Sequence, residues 1–201
     1  MPGQARRSLH GHPLMTDSQP PSPRPTETET PGRFSALLDV DRRWTARLRI
    51  AERPGLTRAL AIFLAHSGDS WFWGAALAVV WWSGTNLWKW RTSVMFLAIA
   101  ATAVVVMALK VAVRRRRPAG EWGKLYRSTD PHSFPSGHAA RMMMLGVVAL
   151  HVGPLWLAAA LALWAPLVAL ARVAMGVHYL SDVVGGAVVG LLMGGLTALL
   201  F

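Results

Sequence analysis

The chain has 201 residues, of which 53% are hydrophobic and 15% are charged, with ten tryptophans and no cysteine. This balance is far more apolar than that of a typical water-soluble domain. The lack of cysteine excludes a disulfide-stapled module, a cysteine-ligated metal site and a thiol nucleophile. A formal net charge of +11 favours an anionic partner such as phosphate, a lipid headgroup or nucleic acid.

The first quarter of the chain divides into two segments. Seven of the thirteen prolines fall within the first 35 residues, which show no periodic apolar face, so residues 1–33 are predicted to form a disordered tail. Residues 34–55 instead carry five arginines and apolar side chains at helical spacing, which predicts an amphipathic basic helix on a membrane surface. The apolar residues of that segment are Phe34, Leu37, Leu38, Trp44 and Leu48.

Residues 56–201 contain four long stretches without Lys, Arg, Asp or Glu, at 70–88, 92–109, 142–171 and 183–201. Each is long enough to cross about 30 Å of hydrocarbon. The stretch 142–171 is predicted to fold as two helices that turn at Gly153 and Pro154. The segment from Ala59 to Gly68 is too short to cross and predicts an interfacial or re-entrant helix. The expected fold class is therefore an all-α, polytopic membrane bundle of about five transmembrane helices plus one short interfacial helix.

The last apolar stretch carries Gly186, Gly190 and Gly194 at intervals of four residues. Such a stripe of small residues lets another helix approach closely. We expect this contact to form within the same protein, and the sequence leaves the oligomeric state open.

A basic cluster closes the second apolar stretch, with five cations in eight residues that include Lys110, Arg114 and Arg117. If the helix continues, these three residues share one face, and Pro118 then ends the helix. A stripe of cations suits the binding of an oxyanion, whereas a basic run at a helix end also anchors the helix among headgroups. This cluster alone leaves both interpretations open.

A second cluster, Ser136, Gly137 and His138, directly precedes the third span. A serine cap followed by glycine leaves free backbone N–H groups at a helix end, where the helix dipole attracts anions. His138 in the first turn is then placed to give a proton to a leaving group. An ordinary helix cap with an exposed histidine is the structural alternative.

The third cluster, Arg172, His178 and Asp182, lies between the fourth and fifth spans. His178 and Asp182 are four residues apart, so on a helical turn the carboxylate can accept the imidazole N–H. That arrangement orients a histidine nucleophile or base, although a purely structural hydrogen bond has the same spacing. The surrounding arginines repel a divalent cation, so we expect no metal and no cofactor.

Chain topology decides among these alternatives. In a five-span arrangement, the end of the second span, the start of the third, the end of the fourth and the start of the fifth lie on the same side of the membrane. The three clusters therefore meet on one face, where cations, two histidines and a carboxylate form an anion site. Nucleic acid is the weakest candidate partner, because the basic residues lie beside membrane spans.

Together the clusters resemble the three-part signature of the type 2 phosphatidic acid phosphatase family, whose site is shared with vanadium haloperoxidases. The resemblance covers roughly residues 53–201. One departure is Ala171, where the family usually has a serine before the arginine; its loss is expected to weaken a supporting hydrogen bond only. The matching residues are Lys110-x6-Arg117-Pro118, Pro135-Ser136-Gly137-His138 and Arg172-x5-His178-x3-Asp182.

The resemblance implies a membrane phosphatase without a metal. It makes His178 the nucleophile that takes the phosphoryl group, Asp182 the residue that orients it, and His138 the acid that protonates the departing group. The phosphate-binding residues that it implies are Lys110, Arg117, Ser136, Gly137 and Arg172. The substrate would be a lipid phosphate or diphosphate, such as phosphatidate, phosphatidylglycerophosphate, undecaprenyl or another prenyl diphosphate, or lipid A phosphate.

Two other functions stay open at this stage. A vanadate-dependent peroxidase would use the same pocket, although the many apolar spans disfavour it. A non-catalytic lipid-binding protein would keep the cations but leave the spacing of His178 and Asp182 unexplained. The membrane side is also open: the positive-inside rule places the site in the cytoplasm. The resemblance implies an extracytoplasmic site in a bacterial-type cell membrane, which we favour. Two explanations would remove the conflict: cations retained for phosphate binding bias the charge count, or the segment from Ala59 to Gly68 crosses the membrane.

Overall fold

The computed structural model describes residues 33–120, 122 and 130–201. In this part of the chain there are helices and no strands, as the all-α prediction required. The predicted disordered tail, apart from Arg33, lies outside the described residues. The helices are α1 (Arg33–Leu48), α2 (Leu56–Ser67), α3 (Ser70–Ser83), α4 (Asn86–Val113), α5 (Gly137–Val152), α6 (Leu155–Ala174) and α7 (Leu180–Leu200).

Three of the described helices, α4, α6 and α7, are long and apolar enough to cross a membrane. The 28 residues of α4 extend over about 42 Å, more than the hydrocarbon thickness. The apolar stretch 142–171 folds as two helices on either side of Gly153 and Pro154, which confirms the predicted turn. Helices α3 and α5 have 14 and 16 residues, so the total of five spans stays a prediction.

Helix α5 lies at the centre of the bundle, packed against α4, α6 and α7. Its side chains Met142, Met144, Leu145 and Val148 are completely buried. Because its neighbours cover α5, its first turn, which carries the second sequence cluster, is enclosed by other helices.

The glycine stripe of α7 packs against α5, as the sequence predicted. A Cβ atom added at Gly194 would lie 2.6 Å from the Cβ of Val147, and one at Gly190 would overlap the carbonyl oxygen of Ala140. No side chain larger than hydrogen fits at these positions. The stripe therefore serves contact between helices of the same chain.

The short helix α2 begins and ends near the same end of the bundle. The N–H of Ala51, before α2, donates to the carbonyl oxygen of Ala174, and Asp69, after α2, contacts His138 in the first turn of α5. With twelve residues, α2 extends over only about 18 Å. This helix is therefore too short by itself to cross about 30 Å of hydrocarbon, which agrees with an interfacial or re-entrant helix, and the sidedness of the site stays a prediction.

Helix α1 docks onto the start of α7. Asp41 accepts a hydrogen bond of 3.0 Å from the N–H of Ser181, and the Thr45 hydroxyl accepts one of 3.0 Å from the N–H of Leu180. These contacts satisfy backbone donors that the first turn of any helix leaves unpaired. They place α1 on the same side of the membrane as the start of α7.

Helix α4 ends earlier than the sequence suggested. Its last helical residue is Val113, and Arg114 has the left-handed conformation, with φ of 51°. Lys110, Arg114 and Arg117 therefore do not share a helical face. The side chain of Arg114 points away and donates to the carbonyl oxygen of Val111, whereas Arg117 is buried.

Candidate active site

A cavity of about 300 Å³ lies where the three sequence clusters meet. Six of the eight predicted site residues line it, and the other two, Ser136 and Asp182, lie beside it in the interior. One wall is charged and another is apolar. The lining residues are Ser70, Ile99, Thr102, Ala103, Val106, Met107, Lys110, Arg117, Asp130, Gly137, His138, Arg141, Arg172 and His178.

The cations enter the cavity from helix ends. Lys110 lies in the last turn of α4 and Arg172 in the last turn of α6, where the helix dipole favours positive charge. Arg117, in the segment after α4, donates to the carbonyl oxygens of Asp130 at 2.7 Å and Val177 at 2.9 Å. These charge-assisted hydrogen bonds hold the guanidinium at the floor of the cavity.

Asp130 is a carboxylate inside this cationic cavity. One of its oxygens accepts hydrogen bonds from Lys110 and, at 2.7 Å, from Arg117. Burial by itself would raise the pKa of Asp130, but the hydrogen bond and charge of Lys110 outweigh it and hold the pKa below its usual value. An ionised carboxylate thus lies between two cations that the sequence assigned to phosphate.

His178 is completely enclosed and lies between a cation and a carboxylate. Its Nε2 is 3.2 Å from Nη1 of Arg117, and its Nδ1 is 3.6 Å from Oδ2 of Asp182. Burial, and then the positive charges of Arg117 and Arg172, hold the pKa of His178 well below its usual value. Both effects favour the neutral imidazole, which keeps a lone pair on one ring nitrogen.

The turn between α6 and α7 brings His178 to this position. Gly176 adopts φ of +67°, a conformation that glycine takes without strain. Asp182 lies in the first turn of α7, where its Oδ2 accepts a hydrogen bond of 2.8 Å from the N–H of Tyr179. The carboxylate that faces His178 is thus fixed by the cap of its own helix.

Arg115 holds Asp182 from the other side, a contact that the sequence analysis missed. Its guanidinium donates to Asp182 at 2.7 Å and to Asp41 of α1 at 2.6 Å, and it lies 4.1 Å from the ring centre of Tyr179. Asp182 is wholly inaccessible to solvent, so this ion pair neutralises a buried charge. Nothing in the run of four arginines distinguishes Arg115 from its neighbours.

His138 is held by Asp69, a second residue that the sequence analysis missed. The Nε2 of His138 is 2.7 Å from Oδ1 of Asp69, and Oδ2 of Asp69 accepts hydrogen bonds from His66 and Trp71. The sequence does contain a signal that could have indicated Asp69, because only four acidic residues follow residue 55. Carboxylates are costly within an apolar domain and mark function. Three of those four, Asp69, Asp130 and Asp182, lie at or beside the cavity.

Ser136 and Gly137 form the start of α5. Ser136 is the residue before the first turn, and its N–H donates to the carbonyl oxygen of Asp182 at 2.9 Å. Its hydroxyl is buried, has no hydrogen-bond partner among the described residues, and is not part of the cavity wall. Gly137 does line the cavity, so the first turn of α5 presents backbone to any bound anion.

Comparison with known proteins shows the family to which the chain is related. The family model of the PAP2 superfamily matches residues 91–201, from α4 to the end of α7. A decaprenylphosphoryl-5-phosphoribose phosphatase of Mycolicibacterium smegmatis is 36% identical over 141 residues, which cover 68% of this chain and 74% of that protein.

Two solved structures share the fold. One is a transmembrane PAP2 type phosphatidylglycerolphosphate phosphatase from Bacillus subtilis, with a TM-score of 0.65 and 23% identity, over 81% of this chain and 84% of that chain. The other is LpxE of Aquifex aeolicus, with a TM-score of 0.62 and 27% identity, over 82% of this chain and 94% of that chain.

The fold and the matched sequence define an integral membrane phosphatase. The chain belongs to the PAP2 superfamily, and the resemblance seen in its sequence motifs is confirmed. Asp41 of α1 and Asp69 of the turn between α2 and α3 lie outside the segment that the family model matches.

Proposed function

We propose that this protein hydrolyses a lipid phosphate monoester or diphosphate through a phosphohistidine formed on His178. The observation that carries this proposal is the cavity itself, in which His178 and His138 line the same space as Lys110, Arg117 and Arg172. Phosphoryl transfer depends mainly on positioning and on stabilising the charge of the equatorial oxygens. Fixed cations and backbone amides at a helix end supply both, and no metal is required.

In this mechanism the phosphate is bound by the cations of the cavity wall. Lys110, Arg117 and Arg172 contact its oxygens, together with the amide of Gly137. The Ser136 hydroxyl, which hydrogen-bonds no described residue, lies beside the cavity and must turn toward it in order to donate to the phosphate. The apolar wall made by Ile99, Ala103, Val106 and Met107 accepts the chain of a lipid next to its headgroup.

The reaction proceeds in two displacements. Nε2 of His178 forms a bond to phosphorus as the bond to the leaving oxygen breaks, and His138 gives that oxygen its proton. His138 then takes a proton from water as the hydroxide attacks phosphorus and the P–N bond breaks. Inorganic phosphate leaves and the neutral His178 is restored. Asp182 fixes the orientation of His178 and stabilises its charge in the covalent intermediate.

The substrate is tested with a panel in detergent micelles that contain EDTA. Phosphatidate, phosphatidylglycerophosphate, a prenyl diphosphate and lipid A phosphate are compared for release of inorganic phosphate. The name of the mycobacterial relative adds a fifth class, a phosphorylated sugar carried on a polyprenyl phosphate. Release from at least one lipid in EDTA is expected; binding without release from any of them contradicts the proposal.

The covalent step is tested with His178→Ala and a matched control. His151→Ala removes an exposed histidine at the far end of α5. We expect His178→Ala to abolish turnover and His151→Ala to leave it unchanged. Rapid quenching with substrate labelled at phosphorus should trap base-stable, acid-labile label on the wild-type and His151→Ala proteins and none on His178→Ala. Undiminished turnover by His178→Ala would refute the mechanism.

The site faces the extracytoplasmic side of a bacterial-type cell membrane in this proposal. Many of the cations at this end of the bundle line the cavity or form ion pairs beside it. Their number is therefore a weak guide to the orientation of the protein in the membrane. Because the chain has no cysteine, single cysteines report sidedness without background. An impermeant thiol reagent on intact cells should label Ala46→Cys on α1, and it should not label Thr85→Cys at the opposite end of α4. The reverse pattern would place the site in the cytoplasm.

A further inference from the structure

The turn between α2 and α3 places the carboxylate of Asp69 in contact with His138. Asp69 precedes α3 but makes no side-chain hydrogen bond to the backbone of that helix. Its carboxylate instead accepts hydrogen bonds from Nε2 of His138 at 2.7 Å, Nδ1 of His66 at 2.9 Å and Nε1 of Trp71 at 3.1 Å. Capping therefore does not explain why a carboxylate stands at this position.

The turn that carries Asp69 is anchored from two helices. Trp73 donates to the carbonyl oxygen of Ser67 at 2.9 Å, and Trp164 of α6 donates to the Ser67 hydroxyl at 2.7 Å. A Cβ atom at Gly68 would lie 3.1 Å from Cδ2 of His138, so the backbone reaches the imidazole because glycine has no side chain. The position of Asp69 relative to His138 is thus set by tertiary contacts.

We propose that Asp69 is a positioning residue for His138, which fixes the imidazole ring and stabilises its protonated form during phosphoryl transfer. This proposal rests on the role given to His138 under the proposed function. The hydrogen bond to Asp69 occupies Nε2, so Nδ1 is the nitrogen that exchanges a proton with the leaving oxygen and with water. An adjacent carboxylate orients a catalytic histidine in the same way in serine hydrolases.

The charge of Asp69 matters because the other charges that act on His138 are those of the cations Arg172 and Arg141. Burial would raise the pKa of Asp69, but the hydrogen bonds from His138 and His66 outweigh it and the pKa lies below its usual value. The carboxylate is therefore ionised and offsets repulsion between the cations and a protonated His138. Among the described residues, the charged or titratable groups that act on His138 or line the cavity with it are Asp69 from the α2–α3 turn, Arg141 from α5, Arg172 from α6, Lys110 from α4, Arg117 and Asp130 from between α4 and α5, and His178 from the α6–α7 turn.

The first test compares the pH dependence of two variants. Asp69→Asn keeps the shape of the side chain and removes its charge, whereas Ser67→Ala loosens the same turn and leaves the contact with His138 intact. We expect kcat of Asp69→Asn to fall about tenfold to a hundredfold, part of the roughly 10²–10⁴ that general acid–base catalysis contributes. The alkaline limb of its kcat–pH profile should move to lower pH, because His138 loses its proton more easily without the carboxylate, while KM changes little. Ser67→Ala should not move the limb; equal profiles for both variants would overturn the proposal.

A double-mutant cycle isolates the contact with His138. If Asp69 acts through His138, Asp69→Asn costs nothing further in a His138→Ala background. The loss should also shrink with an aryl phosphate such as p-nitrophenyl phosphate, whose leaving group departs without a proton. A loss of the same size with and without His138 would show that Asp69 only supports the fold.

His66 offers a second test that does not alter Asp69. Its side chain is half exposed, and His66→Ala removes one donor from the carboxylate without touching His138. The carboxylate then bonds His138 more strongly, so the alkaline limb should move to higher pH, opposite to Asp69→Asn. An unmoved limb contradicts the proposal even if Asp69→Asn does not fold. Full turnover by His178→Ala would instead refute the proposed function, which separates the two failures.

Discussion

If the cations of the cavity bind phosphate as proposed, Asp130 competes with the substrate for them, and its substitution tests that role directly. Its carboxylate accepts hydrogen bonds from Lys110 and Arg117, the residues proposed to bind phosphate. A hydrogen bond to a charged group contributes about 1.5–3 kcal/mol, and we take roughly 1–2 kcal/mol in total because solvent screens this carboxylate. Its side chain is 34% exposed. Removing this competition should tighten the binding of an anion about fivefold to thirtyfold, since 1.4 kcal/mol is a factor of ten.

The assay measures competitive inhibition by inorganic phosphate and by vanadate for Asp130→Asn in detergent micelles. We expect both inhibition constants to decrease relative to wild type. Asp39→Asn is the matched control, because it removes the same charge from an exposed carboxylate on α1 that pairs only with Arg42 among the described residues. Inhibition constants that rise in a folded Asp130→Asn protein would show that the carboxylate holds the cations in place, and the competition argument would fail.

Four further outcomes follow from the structure. Arg115→Ala leaves the buried Asp182 without its ion-pair partner and should lower the free energy of unfolding by about 3–5 kcal/mol. Asp41→Asn should lower it by only about 1–2 kcal/mol. Equal losses in thermal unfolding would contradict this ranking. Gly190→Val should disrupt the packing of α7 on α5, whereas Gly195→Val should not, because a Cβ added there meets nothing within 4 Å; both are followed by gel filtration and activity. Because the pKa of His178 is lowered, the neutral nucleophile persists below the usual imidazole range, so the acid limb of kcat/KM should lie well below about pH 6.5. The same shift predicts that the free energy of unfolding falls as the pH drops through about 6.5, because the histidine binds a proton in the unfolded chain but not in the folded protein.

Much of the helical architecture could be predicted, because hydrophobic runs and turn residues are local properties of the chain. The break at Gly153 and Pro154 and the contact face of Gly190 and Gly194 were confirmed in the structure. The end of α4 was predicted less well. Helical spacing placed Arg114 beside Arg117, but the backbone turns to a left-handed conformation at Arg114, and Arg117 enters the interior from a loop.

The candidate site residues could be predicted from motif spacing, because each motif places reactive side chains at the end of a helix. Lys110 and Arg172 close helices, and Gly137 and His138 open one, so local rules already direct them toward a common face. Their distances from one another could not be predicted, because those distances depend on how α4, α5 and α6 pack.

The amino-acid sequence by itself determined which side chains can perform the chemistry and that most of the chain belongs in a membrane. The tertiary structure alone decided their partners: Asp69 for His138, Arg115 for Asp182, and Asp130 between two cations. These contacts join residues 13 to 69 positions apart in the chain. No local pattern encodes such pairs, because a carboxylate finds its cation only after the packing of helices has excluded water and brought the two together.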